Sequence, residues 1–283
     1  MELKFFTPSK GVPADAFGAA TFGFVGAENE REATEKAFPE ELQGLMVSGT
    51  YAECLAAIPE GQWQAGIVVL GNAGGENEFI HALAQKVRCP LTGGGAAIDP
   101  ETGKAGLITG ERQAAVFLIA DDRYAVQVTC QNIHQEILGE VDVAFTDPRV
   151  IDSIEGQEPL AWLNARRAEL GLAETDFEHM TLSDKLGVNA HLSLADGRIC
   201  SGRDLQPRML LRHVPADQVQ PRMRAFYDDP NAIVFGCAGL KGILPGKLGT
   251  DSLGLFLFGE VCTKDGQSEF GNLMLSKIQI NKR

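Results

Sequence analysis

The stretch Ala232 to Cys262 reads AIVFGCAGLKGILPGKLGTDSLGLFLFGEVC. Its opening run, Ala232-Ile233-Val234-Phe235, is continuously apolar and short, the pattern of a strand buried on both faces. Gly236-Cys237-Ala238-Gly239 then supplies four small residues, which let a backbone or a ligand approach closely. A polar connection carrying Lys241, Lys247, Thr250, Asp251 and Ser252 leads to a second apolar run, Leu253 to Phe258. That run ends in Gly259-Glu260, placing a carboxylate just past a strand end. Two buried strands with an intervening connection predict an α/β protein of mixed sheets backed by helices.

The 283 residues suit one large domain or two of ordinary size, and 44% hydrophobic residues with 32 glycines fit a packed chain that contains strands. A net charge of −13 argues against nucleic acid as main partner, because phosphate binding needs a concentrated basic surface. Arg198, Arg203, Arg208, Arg212, Arg222 and Arg224 form a local basic stripe, expected to be a protein-facing or salt-bridged surface. No run reaches the ~20 apolar residues of a membrane helix, and the N-terminus lacks the pattern of a secretory signal. Six scattered cysteines without a C-x-x-C pair predict reduced thiols, no metal site and a cytoplasmic setting. No cofactor is expected.

Working outward, Lys4-Phe5-Phe6 and Leu45-Met46-Val47 read as strands and Glu28 to Phe38 as a short acidic helix. Thr50 and Glu53 have capping-box spacing for a helix that stops at Pro59. Ala65 to Leu70 is a buried strand, followed by the loop Gly71 to Gly75 and a helix bearing Phe79, Ile80, Leu83 and Val87. Gly93-Gly94-Gly95 lacks the Gly-Lys-Ser/Thr of a phosphate loop, leaving a ligand-contacting turn or a glycine bend within a sheet. Leu107-Ile108-Thr109 is a short apolar piece, and Ala114 to Ala120 with Tyr124 to Val128 is expected to form a hairpin around Asp121-Asp122.

Beyond it, Val141 to Phe145 and Val150 to Ile154 read as strands, and a helix runs through Trp162 and Leu170. The polar stretch Leu172 to Lys185 is the expected boundary between an amino-terminal half, 1–175, and a carboxy-terminal half, 176–283, that share one core. In the second half, Val188 to Leu194 and Arg198 to Ser201 flank Ala195-Asp196-Gly197 as a hairpin. Met209 to Val214 is a strand and Asp217 to Tyr227 a helix despite Pro221. A turn at Lys264-Asp265-Gly266 precedes the last strand, Asn272 to Ile280. A helix, AGIVVLGNAG, Gly-Gly-Gly and AAVFLIA have the same order as a helix, AIVFGCAG, LGLFLFGE and GNLMLSKIQI, which points to an internal duplication.

Phe235-Gly236-Cys237-Ala238-Gly239 and Leu257-Phe258-Gly259-Glu260 resemble the carboxy-terminal signature of the FIST sensory proteins. Val150-Ile151-Asp152-Ser153-Ile154-Glu155-Gly156-Gln157-Glu158-Pro159-Leu160 looks like that family's midpoint segment, and Pro90 to Ala96 its glycine turn. The chain departs from the family at Gly236, where Ser is common, and at Leu240-Lys241, where Arg is common. The resemblance implies an intracellular small-ligand-binding protein of signal transduction, with an amino acid or similar metabolite as ligand and a downstream signalling protein as partner.

Gly93, Gly94, Gly95, Gly236, Cys237, Ala238, Gly239, Lys241, Gly259 and Glu260 are the expected ligand site. All but Lys241 lie at small-residue breaks beside apolar runs, where amides and carbonyls are free and side chains do not block approach. Glu260 suits an ammonium group, and free amides or Lys241 suit a carboxylate. The rival reading is a cysteine-dependent enzyme with Cys237 as nucleophile and His134 or His213 as base. A lone His after a strand is more often a hydrogen-bonded structural residue, and a glycine-flanked Cys is more often core.

Overall fold

The computed structural model describes residues 3–6, 17–38, 42–71, 73–97, 112–246 and 248–283. In chain order it begins with β1 (Leu3–Phe6), β2 (Phe17–Ala20) and β3 (Gly23–Val25), then α1 (Glu30–Ala37), whose first turn is capped by the Asn29 side chain. β4 (Gly44–Gly49) is followed by α2 (Tyr51–Ala57). There Thr50 and Glu53 close the capping box reciprocally, satisfying amides that a helix start otherwise leaves free. β5 (Ala65–Leu70), α3 (Glu76–Val87), β6 (Leu91–Gly95) and β7 (Ala114–Ile119) follow, and β4 to β7 belong to one sheet.

β8 (Tyr124–Asn132) belongs to a second sheet, and the chain then enters a long insertion. The insertion contains β9 (Glu136–Ala144), β10 (Ser153–Ile154), α4 (Pro159–Glu169), β11 (Met180–Ser183), β12 (Asn189–Ala190), β13 (Leu192–Ala195), β14 (Arg198–Ser201) and β15 (Arg208–His213). The second sheet resumes with α5 (Ala216–Phe226), β16 (Ala232–Cys237), α6 (Ala238–Ile243) and β17 (Leu253–Leu257). The hairpin β18 (Glu260–Lys264) and β19 (Gln267–Gly271) then precedes β20 (Met274–Lys282).

One strand arrangement occurs twice. The first sheet runs β19-β18-β6-β5-β7-β4 and the second β3-β17-β16-β20-β8. In each, the central pair is parallel (β5 with β6, β16 with β17), and two antiparallel strands follow on one side (β7 and β4, β20 and β8). A helix joins each parallel pair, α3 in the first sheet and α6 in the second, as a parallel connection requires. The two sheets pack face to face, with Ile67, Val69 and Phe117 from one meeting Phe235, Leu255 and Ile278 from the other. α2 and α3 cover the outer face of the first sheet, and α5 and α6 that of the second. The result is four layers, helix–sheet–sheet–helix. The antiparallel sheet β10-β9-β15-β11-β12 forms a separate core with Trp162 and Leu163 of α4. That sheet, and both sheets of the sandwich, take strands from either side of residue 175.

Several expectations are corrected. β7 and β8 are not a hairpin: β4 and β5 already occupy both edges of β7, so β8 pairs with β20 in the opposite sheet. Gly93-Gly94-Gly95 is not a turn but the buried end of β6, with Gly93 at φ +119° where a side chain would enter the Val68 carbonyl. The expected strand Val150 to Ile154 shrinks to Ser153–Ile154, and that over Val188 to Leu194 divides into β12 and β13. The polar connection after Cys237 contains a helix, α6, that begins at Ala238. The cysteines are not all free, since Cys130 of β8 and Cys262 of β18 form a disulfide with Cα atoms 5.5 Å apart. It joins the two sheets. The 107–109 piece, Asn72 and Lys247 lie outside the described residues.

Candidate functional site

The two sheets communicate where the chain leaves β17 and enters β18. Gly259, at φ +79°, turns the backbone from the second sheet into the first, a conformation that glycine adopts without strain. Glu260 and Val261 then pair with Gly94 and Gly93, while the Gly95 amide donates to the Gly259 carbonyl at 3.1 Å and the Phe258 amide to the Gly95 carbonyl at 2.8 Å. The glycines of β6 therefore make room for this crossing. Any Cβ on Gly94 would enter the Gly259 carbonyl.

Cys237 ends β16 at the same place, 5% exposed, with the amides of Leu273, Gly239 and Gly259 directed at its sulfur. The fully buried Glu260 lies beside it. One of its carboxyl oxygens accepts from the Met274 amide at 3.2 Å, and the other, Oε1, has no hydrogen-bond partner among the described residues. Burial pushes the Glu260 carboxyl well above the usual carboxylate range. Burial, and then the Glu260 charge, push the Cys237 thiol up to about 12. Burial thus favours the neutral form of each group. Tyr227 stands on the outer face of the second sheet, in the space left by Gly236 and Gly254, and its buried hydroxyl also has no hydrogen-bond partner among the described residues. Its ionisation is opposed by burial and by Glu260.

The two histidines have other partners. His134 is fully buried, its Nε2 donating to the Glu178 carbonyl at 2.6 Å and its Nδ1 accepting from Asn189 Nδ2 at 3.1 Å. Both ring nitrogens are thus committed, and burial draws its pKa down to about 4. His213 bonds Glu136 at 3.0 Å. Five arginines of the basic stripe are likewise engaged within the chain. Arg203 pairs with Asp184 at 3.0 Å, Arg208 with Asp142 at 3.3 Å, and Arg212, Arg222 and Arg224 donate to backbone carbonyls.

The expected site residues thus separate into two places. Gly93, Gly94, Gly95, Gly236, Cys237, Ala238, Gly239, Gly259 and Glu260 gather at the crossing, whereas Lys241 projects from α6 to the edge strand β3. Lys241 Nζ donates to the Phe22 carbonyl at 2.8 Å, lies 5.9 Å from the Phe256 ring, and has no carboxylate partner among the described residues. It lines a cavity of about 610 Å3 between α1, β3 and the segments 244–246 and 248–251, with Phe24, Val25, Leu248 and Phe256 as its apolar wall. Glu28, Lys36 and Asp251 bring charge to the same cavity. Lys36 is shared with Glu32 at 2.9 Å, while no ion pair engages Asp251 among the described residues. Asp251 stood in view as part of the polar connection. Phe24 and Lys36, more than 200 positions away, carried no signal linking them to it.

No group of three or more His, Cys, Asp or Glu side chains among the described residues is arranged to hold a metal ion. No described helix is long and apolar enough to cross a membrane. No protein-family model matches the chain, and no curated protein matches it.

The Glu260 burial has a measurable consequence. A carboxyl whose folded-state pKa is raised contributes stability that is complete below its unfolded pKa, about 4.3, and is lost as pH rises through the folded value. Gln cannot ionise and keeps the same shape. The stability of Glu260→Gln relative to the unmodified protein is therefore expected to rise between pH 4 and pH 8 in urea unfolding. A difference that stays constant with pH would show that Glu260 is not held neutral.

Proposed function

We propose that the protein is a small-ligand-binding sensory protein of intracellular signal transduction, and that its ligand is an amino acid or a similar metabolite held in the cavity beside Lys241. The observation that carries this reading is a cation, Lys241, facing a partly apolar cavity of about 610 Å3 that also contains the carboxylate of Asp251, neither having an ion-pair partner among the described residues. A volume of this size accommodates a metabolite, and a few convergent polar groups on an apolar wall are what orient one. Lys241 receives the ligand carboxylate, Asp251 its ammonium group, and the wall of Phe24, Leu248 and Phe256 an apolar side chain. The FIST resemblance, carried by Cys237, Gly259 and Glu260, supports the same class of function.

In a reducing compartment Cys130 and Cys262 would be thiols, because glutathione and thioredoxin systems keep cytosolic cysteines reduced. Ligand binding is therefore to be measured on both redox forms. A thermal-shift series over the twenty amino acids is expected to identify at least one that stabilises the native state, since selective binding must raise the apparent melting temperature. Lys241→Gln should weaken that ligand about tenfold or more, as expected for a charge-assisted contact worth 1.5–3 kcal/mol, with the unliganded melting temperature little changed. If no amino acid shifts either redox form, or if Lys241→Gln responds like the unmodified protein, the reading fails.

A further inference from the structure

The insertion sheet leaves one strand edge open. β9 pairs along one side with β15, but on its other side β10 takes up only Val143 and Ala144. The Glu155 carboxylate accepts the Asp142 amide at 2.6 Å and closes the edge there. On that side, from Glu136 to Val141, no described strand lies beside β9. Ile137 and Leu138 on this segment are 56% and 44% exposed, two of the most exposed large apolar side chains among the described residues. Beside the open edge a groove of about 550 Å3 runs between β9 and α4, floored by Leu138, Trp162, Leu170 and Leu211.

An open strand edge offers a row of backbone donors and acceptors, and an apolar groove next to it gives alternate side chains of an added strand somewhere to go. The groove has a definite sign. Glu140, Glu155 and Glu169 stand on its rim against Arg166 alone, and Arg166 is already paired with Glu169 at 2.8 Å. Glu140 has no ion-pair partner among the described residues. A second copy of this acidic chain would bring the same carboxylates to the same edge, and like charges facing one another across a strand pair destabilise it.

We infer that the open edge of β9 receives an extended segment of another protein in which basic and apolar residues alternate, added as a further strand with its apolar side chains in the groove beside α4. The basic residues pair across the strand with Glu140 and the rim carboxylates. This surface is independent of the Lys241 cavity, so the inference stands or falls apart from the ligand reading.

The probe is a fluorescein-labelled heptapeptide alternating lysine and leucine, compared with the same peptide carrying a central proline and with one alternating glutamate and leucine. Anisotropy is expected to show saturable binding of the first peptide only, because proline removes a ladder donor at unchanged charge. Hydrogen-exchange mass spectrometry should show the added protection confined to residues 136–141. Glu140→Lys should weaken the lysine peptide roughly fivefold, the size of a cross-strand charge pair. The inference is overturned if the lysine peptide does not bind, if the proline or glutamate peptide binds as well, or if protection falls elsewhere. It is also overturned if sedimentation shows a dimer that Glu140→Lys dissolves, which would assign the edge to a second copy.

Discussion

Cys130→Ser is expected to lower the unfolding free energy by about 4 to 5 kcal/mol, the loop-closure value for a link spanning more than a hundred residues. The disulfide joins positions 132 residues apart and ties β8 of the second sheet to β18 of the first. Without it, the unfolded chain regains the freedom that the link removes, while the interface of Phe117, Phe235 and Leu255 still holds the sheets together. The protein should therefore still fold, melting on the order of 10 °C lower. Excess reductant on the unmodified protein should reproduce the loss, and Cys262→Ser should match Cys130→Ser without adding to it. Unfolding in guanidinium, with alkylation to count free thiols, measures this directly. Equal stability with and without reductant would mean that the two sulfurs do not constrain the chain.

Gly93→Ala is the second large effect, a loss of about 3 to 5 kcal/mol from combined backbone strain and overpacking. Gly93 sits at φ +119° in the middle of β6, where an added Cβ would meet the backbone of Val68. β5 and β18 hold β6 on both sides, so it cannot shift away. Gly139→Ala is the matched control, because nothing lies within 4 Å of the new methyl there, and it should change stability by no more than about 0.5 kcal/mol. If Gly93→Ala unfolds like the unmodified protein but loses ligand, the glycine run is a ligand contact and not architecture.

These two results bear on what the sequence could reveal. Thr50 and Glu53, the Asp196-Gly197 turn and the apolar run Ala65 to Leu70 were legible because their causes lie within a few residues. The shared order of elements in the two segments was legible as a succession, and the central pair of each sheet, β5 with β6 and β16 with β17, is parallel. The partner of β8 was not, because Asp121-Asp122 marks a turn equally well whether the next strand folds back or crosses to the opposite sheet. The Cys130–Cys262 link follows from that crossing and carries no local sign. Among the site residues, Cys237 and Glu260 meet as strand-end reasoning expected, since both end or begin strands at the same crossing. Lys241 does not join them, because α6 starts at Ala238 and carries it to the sheet edge.

The place of the ligand is tested most directly by the reactivity of Lys241 itself. The protein is acetylated with a limiting amount of an amine-reactive ester, alone and with each amino acid in turn, and modification at Lys241 and Lys264 is quantified by peptide mass spectrometry. An amino acid that raises the melting temperature should slow acetylation of Lys241 several-fold, as expected when an amine is held in a charge-assisted pair. Lys264, which donates to the Leu186 carbonyl on the far hairpin, should react at an unchanged rate. A stabilising amino acid that leaves Lys241 as reactive as in the free protein would place the ligand elsewhere and contradict the account.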